Sequence, residues 1–270
     1  MKLPIPAKFG DKVIVECEIS KPKAIVITDA KSAVDRNDYY TALKVFCAGV
    51  VDSFTDSNGG IITDKQQIRT IMNSMPFRSA EYIAIQSIVA IDGDDGIEGI
   101  YPCPRCGYKI IAGYEDNDGV ISDTRDYISG LEVRYADENT MDIYVQLDNP
   151  VVVHKGNDEI EIKTMRIQHP TLEHCIKAGN RVGYSNVMKL QLGIIAEAVS
   201  DINGNKVTGI LREIAYKALD NIDSTELFSI VSELGKYGLQ TKVAKVCPAC
   251  GKEFMCTVNT SNFFDFSTRM

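Results

Sequence analysis

Apolar residues near the start of the chain recur at every second position, as in a β-strand. The alternating positions are Val13, Val15, Cys17 and Ile19, and the β-rich run from Ala24 to Thr28 predicts a second strand. After Asn37-Asp38 the spacing changes to three and four residues, which predicts a helix. The apolar positions of that helix are Tyr40, Leu43, Phe46, Cys47, Val50 and Phe54.

Two further helices are predicted before residue 98. Asn58-Gly59-Gly60 ends the first helix, and Thr63 with Gln66 forms the predicted capping box of the next one. Pro76 ends that second helix, and a third is predicted over Ser79 to Ile91. Residues 1–97 are therefore predicted to form an N-terminal αβ region.

The alternating pattern returns between Leu131 and Gln168 and predicts an antiparallel β meander. Its turns are predicted at Ala136 to Thr140 and at Lys155 to Asp158. The three successive apolar residues from Val151 to Val153 are predicted to be buried on both faces. The apolar segments are Leu131 to Tyr135, Met141 to Leu147, Val151 to Val153, and Ile160 to Ile167.

Helical spacing follows His169-Pro170, with Thr171 as the predicted cap of the first of four amphipathic helices. The four are predicted over Thr171 to Lys177, Ser185 to Val199, Thr208 to Leu219, and Ser224 to Leu234. The fold class is therefore α+β. The predicted regions are the N-terminal αβ region at 1–97, a first cysteine motif with the meander at 98–168, a helical region at 169–240, and a second cysteine motif with an aromatic tail at 241–270.

Two short motifs carry the chemistry of the chain, and each reads Cys-Pro-x-Cys-Gly. They supply four thiolates, from Cys103, Cys106, Cys247 and Cys250. The two residues between the cysteines fold back, so the sulfurs converge, and the following glycine accepts the left-handed conformation that closes the turn. Two such turns complete a tetrahedral Cys₄ shell for one structural Zn²⁺, and β-rich flanks predict a zinc ribbon. Because 140 residues separate Cys106 from Cys247, the ribbon would be split and would join the central and C-terminal segments.

Two other interpretations of the cysteine pairs remain open. A redox dithiol of the thioredoxin type belongs at the start of a helix, and neither motif precedes a helical pattern. Disulfides are typical of secreted proteins, and the first six residues, Met1 to Pro6, lack the apolar core of a signal peptide. A structural zinc site is favoured over both, and its four thiolates would leave no open position for catalysis.

Composition limits the class of partner. The chain has 270 residues, of which 44% are hydrophobic and 24% charged, with a formal net charge of −8 and a pI near 5.0. This acidic balance argues against a general phosphate-binding surface, so binding to nucleic acid is not favoured. No apolar run approaches the roughly 20 residues that span a bilayer, so no membrane association is expected.

Candidates for other chemistry are weak. His169 and His174 lie near the start of one helix, with Cys175 beside them, so a second metal site or a Cys-His pair is conceivable. The acidic stretch from Asp92 to Gly96 does not have the spacing of an EF-hand loop. No Gly-x-Ser-x-Gly, phosphate-loop, dinucleotide or His-Glu-x-x-His motif is present, so we predict no enzyme activity and no catalytic residues.

The C-terminal segment Asn262-Phe263-Phe264-Asp265-Phe266 places three aromatic residues close together. Exposure of these rings to water would be unfavourable. We expect this tail to fold back onto the core or to dock into another protein.

The combination of motifs resembles the baseplate hub and hub-assembly proteins of T-even-type contractile-tailed phages. The resemblance rests on the paired Cys-Pro-x-Cys-Gly motifs, the helix start at Pro170-Thr171 and the Asn-Phe-Phe tail. It implies a non-enzymatic structural protein that assembles with other baseplate hub or tail proteins. It further implies a location in the host cytoplasm during assembly, with the tail baseplate of the virion as a second location. Partners, contact surfaces and oligomeric state are not indicated by the sequence.

The main alternative function is a zinc-ribbon adaptor in transcription or nucleic-acid processing. Arg105, Lys109, Lys242, Lys245 and Lys252 could form a local basic patch around the ribbon despite the acidic total charge. Salt-sensitive binding to oligonucleotides would distinguish this adaptor from a protein that acts through protein contacts.

Overall fold

The structure is a computed structural model and describes residues 1–36, 38–93, 99–112, 127–156 and 158–258. It divides into two compact units. The first contains Met1–Ala84 and Tyr135–Gly238, and the second contains Ile85–Arg134 and Leu239–Met270. Helices and antiparallel sheets are both present, which confirms the predicted α+β class.

The N-terminal part of the first unit is a four-stranded antiparallel sheet with strand order β1-β2-β3-β4. Two helices lie between β2 and β3 in sequence, and two more follow β4. The strands are β1 (Lys2–Phe9), β2 (Lys12–Ile19), β3 (Val51–Asp56) and β4 (Ile61–Ile62), and the helices are α1 (Ala24–Val34), α2 (Tyr39–Val50), α3 (Lys65–Ser74) and α4 (Phe77–Asp92).

The predicted strand from Ala24 to Thr28 is wrong, because these residues begin helix α1. Gly49 of α2 explains the difference: a Cβ at this position would lie 2.4 Å from Cγ1 of Val26, so the two helices pack closely only because Gly49 has no side chain. Such tertiary packing outweighs the β-propensity of a short β-branched run. The helix predicted through Phe54 also ends earlier, at Val50, and Phe54 lies buried in β3.

Asp38 and Asp64 begin the helices α2 and α3. The carboxylate of Asp38 accepts a hydrogen bond from the Thr41 N–H at 3.1 Å, and that of Asp64 accepts one from the Gln67 N–H at 2.8 Å. The predicted capping box of Thr63 with Gln66 is therefore wrong by one residue, because aspartate is also a strong N-cap.

The other part of the first unit contains a second antiparallel sheet, with strand order β11-β10-β9-β8. The strands are β8 (Asp142–Lys155), β9 (Asp158–Gln168), β10 (Val199–Ile202) and β11 (Asn205–Lys206), and the helices are α5 (Leu172–Val182), α6 (Val187–Ala198), α7 (Ile210–Asn221) and α8 (Ser224–Leu234). Helices α6, α7 and α8 bury their apolar faces against a continuous core with this sheet, whereas α5 packs against α6 and against helices α2 and α3.

Strand β8 is longer than the sequence pattern suggested. The apolar segment Met141 to Leu147, from Asp142 onward, and the segment Val151 to Val153 lie on this one strand, whose register with β9 shifts between Gln146 and Val151. Val151 and Val153 are buried whereas Val152 is 46% exposed, so the expectation of burial on both faces is wrong. The turn predicted from Lys155 to Asp158 joins β8 to β9.

The remaining described strands form three two-stranded pairings, and all of their residues except Gly238 lie in the second unit. They are β5 (Gly99–Pro102) with β6 (Lys109–Ala112), β7 (Val133–Arg134) with β12 (Gly238–Leu239), and β13 (Lys242–Val246) with β14 (Glu253–Thr257). Two short 3₁₀ turns lie at Ile128–Gly130 and Glu138–Thr140, the second of them in the first unit. Within the described residues, no helix has both the length and the apolar character needed to span a membrane.

Candidate metal centre

The first cysteine motif forms the turn between β5 and β6. The N–H of Cys103 donates to the Tyr108 carbonyl at 2.8 Å, and the N–H of Gly107 donates to the Cys103 carbonyl at 2.9 Å. Gly107 has a φ of 73°, which is the left-handed region expected for the glycine of this motif. These bonds hold the sulfurs of Cys103 and Cys106 on the same side of the turn.

The second motif repeats this geometry between β13 and β14. The N–H of Cys247 donates to the Lys252 carbonyl at 2.9 Å, and the N–H of Gly251 donates to the Cys247 carbonyl at 2.9 Å. The φ of Gly251 is 66°. The same local sequence therefore gives the same turn twice, as the spacing of each motif predicts.

A small apolar cluster connects the two hairpins. Tyr101 and Ile110 from the first hairpin are buried, and Phe254 and Cys256 from the second pack against them. The ammonium of Lys245 lies 5.4 Å from the centre of the Tyr101 ring, in a cation–π arrangement. The sequence had indicated β-rich flanks but no role for Cys256, and its place in β14 assigns it to this cluster and not to the metal site.

The four motif cysteines come together in space. Their sulfur atoms all lie within 4.8 Å of one another. The Cys103 and Cys250 sulfurs are 3.7 Å apart, and the Cys106 and Cys247 sulfurs are 3.6 Å apart. None of these cysteines forms a disulfide, whose S–S distance would be about 2.05 Å. The arrangement is close enough to hold one metal ion in contact with all four sulfurs.

The four thiols differ in exposure. Cys103 and Cys247 are buried, with 3% and 1% of their surface exposed, whereas Cys250 is half-buried and Cys106 is exposed. A metal ion at this position would be covered by protein on the side of the first two sulfurs. Solvent would reach the site from the side of Cys106.

The pKa values of these thiols reflect their crowding. Burial acts to raise the pKa of Cys103, but hydrogen bonds from the backbone N–H groups of Cys106 and Arg105 outweigh it and lower the pKa to about 6. The backbone N–H of Tyr108 acts to lower the pKa of Cys106, but the partial loss of hydration at this otherwise exposed sulfur and the three neighbouring cysteines raise it to about 12. Cys103 thus forms a thiolate readily, whereas Cys106 resists ionisation beside it. A divalent cation between the sulfurs would offset the repulsion of four thiolates.

The other sequence candidates do not form a second metal site within the described part of the chain, where the four-cysteine group is the one cluster of suitable ligands. The Nε2 of His169 lies 3.1 Å from the Thr140 carbonyl. His174 completes a capping box with Thr171, its Nδ1 accepting from the Thr171 N–H at 3.3 Å. Cys175 is fully buried, and its burial raises the pKa of the thiol above the ordinary range.

Several sequence features lie outside the described residues. In the acidic stretch from Asp92 to Gly96, residues 94–96 lie outside the described part of the chain. The whole aromatic tail from Asn262 to Phe266 also lies outside it. The expectations for these segments stay predictions.

Comparison of the chain with protein-family models, with curated proteins and with solved structures found no match. The class of this protein is therefore defined by its fold and by its four-cysteine site alone. This is a mixed α+β protein with a four-cysteine site, assembled from two distant hairpins, that can hold one metal ion.

Gly251 allows a test of how the turn controls metal binding. A Cβ at this residue would meet nothing within 4 Å, so only the left-handed backbone opposes a side chain there. We expect Gly251→Val to destabilise the metal-bound hairpin by about 1–2 kcal/mol and to weaken metal binding. Asparagine tolerates this conformation better, so Gly251→Asn is the matched control. Competition with a chromophoric chelator measures the metal affinity of each variant. Equal affinities in Gly251→Val and Gly251→Asn would contradict the role given to the turn.

Proposed function

We propose that Cys103, Cys106, Cys247 and Cys250 bind one structural Zn²⁺. The observation that carries the proposal is the convergence of four cysteine sulfurs within 4.8 Å. Four zinc–sulfur bonds of about 2.3 Å in a tetrahedron place the sulfurs about 3.8 Å apart, and two of the sulfur pairs here are 3.6 and 3.7 Å apart. An all-thiolate set favours soft or borderline metals over Mg²⁺ or Ca²⁺.

A structural role follows from the number of ligands. Four protein ligands fill the tetrahedral shell of zinc, so no position remains for a water molecule or a substrate. Zinc in such a site acts on folding, because the free energy of binding becomes free energy of folding for the segments that carry the ligands. Here those segments are the hairpins β5–β6 and β13–β14.

The proposal for zinc is tested by elemental mass spectrometry of the purified protein together with its native mass. We expect one zinc per chain. A metal-free protein with four reactive thiols would overturn the proposal and would favour the redox interpretation of the two cysteine pairs.

We further infer that the protein is a non-enzymatic assembly protein of a contractile phage tail baseplate, as a hub component or a hub-assembly factor. This inference rests on the resemblance of the paired motifs and of the C-terminal aromatic tail. It agrees with a metal site that has no open position, and with the acidic net charge of −8. The protein would act in the host cytoplasm through contacts with other baseplate hub or tail proteins.

Co-expression with the hub and tail proteins of one such phage tests the assembly role. We expect a stoichiometric complex on size-exclusion chromatography with the wild-type protein. We expect no complex with the zinc-deficient variant Cys247→Ser. Absence of any complex with the wild-type protein across the set of hub proteins would contradict the inference.

A zinc-ribbon adaptor for nucleic acid is the second candidate, favoured by basic side chains on both hairpins. Arg105, Lys109, Lys242 and Lys252 are all exposed. An electrostatic interface of this kind would bind oligonucleotides at low salt and release them as the salt concentration rises. Binding with a steep salt dependence would favour the adaptor, and no binding at low salt would exclude it.

A further inference from the structure

A second candidate site lies in the first unit, away from the cysteine motifs in sequence. It is a cleft of about 240 Å³ bordered by β1, α2, α4, α5, α6 and α8. The volume is slightly below the 300–1,000 Å³ typical of ligand pockets, which suits a ligand the size of one amino-acid residue. The apolar part of its wall includes Ile5, Phe77, Cys175, Ile194, Val231 and Leu234.

His169 contributes a buried acceptor to this cleft. The side chain lines the cleft and is only 4% exposed. Its Nε2 lies 3.1 Å from the Thr140 carbonyl, which can only accept, so Nε2 carries the proton and Nδ1 is left as an acceptor. Nδ1 is buried and has no hydrogen-bond partner among the described residues. Burial lowers the pKa of this imidazole, which keeps the ring neutral and Nδ1 free to accept.

Arg78 contributes a cation to the same wall. Its guanidinium is half-buried and makes no hydrogen bond or ion pair in the part of the chain that the structure describes. Glu81 lies one turn further along α4, and burial raises the pKa of its carboxyl group to about 7, so near neutral pH it offsets the charge of Arg78 only in part. A guanidinium presents five donors in a planar fork and is therefore suited to a planar carboxylate.

These features match a single kind of ligand. An apolar side chain would fill the cleft, a carboxylate would accept from Arg78, and an adjacent N–H group would donate to His169. We propose that the cleft binds an apolar amino-acid residue with an acylated amino group and a free α-carboxylate. Both a small N-acyl amino acid and the C-terminal residue of a peptide have this chemistry. The proposal does not depend on the metal centre.

The test uses four probes in calorimetric or NMR titrations of the full chain. They are N-acetyl-L-phenylalanine, its carboxamide, and a short peptide ending in phenylalanine with a free or an amidated C-terminus. We expect saturable binding of both acids and about tenfold or more weaker binding of both amides. Tighter binding of the peptide than of the small acid identifies a protein C-terminus as the ligand, and equal affinity identifies a small molecule. No saturation at millimolar concentrations, or equal affinities of acid and amide, would overturn the proposal.

Three variants test whether the ligand binds in this cleft. Arg78→Gln keeps a side chain with amide donors but removes the charge, and we expect it to bind the acid no better than the amide. Arg69→Gln, an exposed arginine of α3, is the matched control and should bind as the wild type does. Val231 is 48% exposed, so Val231→Trp should fold normally, as circular dichroism checks, and should block the cleft. Unchanged affinity in a folded Val231→Trp would place the ligand elsewhere.

Discussion

Replacement of Cys247 by serine is expected to abolish the binding of the proposed zinc ion and to unfold the two hairpins that carry the motifs. The sulfur of Cys247 is 3.6 Å from that of Cys106 and is almost fully buried. A neutral hydroxyl at this position cannot replace a thiolate ligand. Structural zinc contributes on the order of 10 kcal/mol to the folding of such sites, so this loss is the largest that we expect of any single substitution.

The apolar cluster beneath the hairpins is too small to compensate for the lost metal. Burial of a side chain such as Ile110 contributes about 1.5–3 kcal/mol, whereas ordering the backbone costs about 1–2 kcal/mol for every residue. Four clustered side chains therefore cannot stabilise two hairpins by themselves. We expect fast amide exchange in Lys242–Val246 and Glu253–Thr257 in the variant, measured by hydrogen exchange with mass spectrometry.

Cys256→Ser is the matched control for this substitution. Cys256 lies on the same hairpin, is half-buried, and donates to the Val243 carbonyl at 3.7 Å without joining the four-sulfur group. We expect this variant to retain its zinc and its slow amide exchange. Stoichiometric zinc and unchanged melting in Cys247→Ser would contradict the assignment of the ligands.

The candidate site could be predicted because each half of it is local. The turn at Cys103 to Gly107 depends on the spacing of two cysteines and on one glycine, and the same holds at Cys247 to Gly251. Four thiolates in two such turns match the number of ligands that zinc requires, so they can be paired across 140 residues of sequence. The cluster under the site could not be predicted, because it depends on which faces of two separate hairpins meet.

The fold shows the same division between local and non-local information. Helix α8 has the bounds that its periodicity predicted, from Ser224 to Leu234, because its amphipathic pattern is complete within the segment. The run from Ala24 to Thr28 predicts a strand where the structure has a helix, because its close packing on Gly49 lies outside the window of any local pattern. No local pattern predicts the cleft beside His169 either, since its walls come from six separate strands and helices.

Ser79 is the residue for which we expect the second largest effect of a substitution. Its hydroxyl donates to the Ile5 carbonyl at 2.7 Å and accepts from the Ile5 N–H at 2.9 Å, and the side chain is fully buried. The register of β1 with β2 shifts between Lys2 and Ala7, so the hydroxyl takes the place of a partner strand for Ile5. Ser79→Ala would leave two buried main-chain groups without partners. We expect the free energy of unfolding to fall by roughly 2–5 kcal/mol, measured by urea denaturation.

The matched control for Ser79→Ala is a serine whose hydroxyl has an exposed partner. Ser32 on α1 is exposed, and its hydroxyl donates to the Thr28 carbonyl at 3.0 Å. Because that carbonyl is also bonded within the helix and lies near water, Ser32→Ala should change the free energy of unfolding by less than about 0.5 kcal/mol. The contrast between the two variants isolates the burial of the Ile5 backbone groups. Equal, small changes in both would mean that water replaces the Ser79 hydroxyl and that β1 does not depend on it.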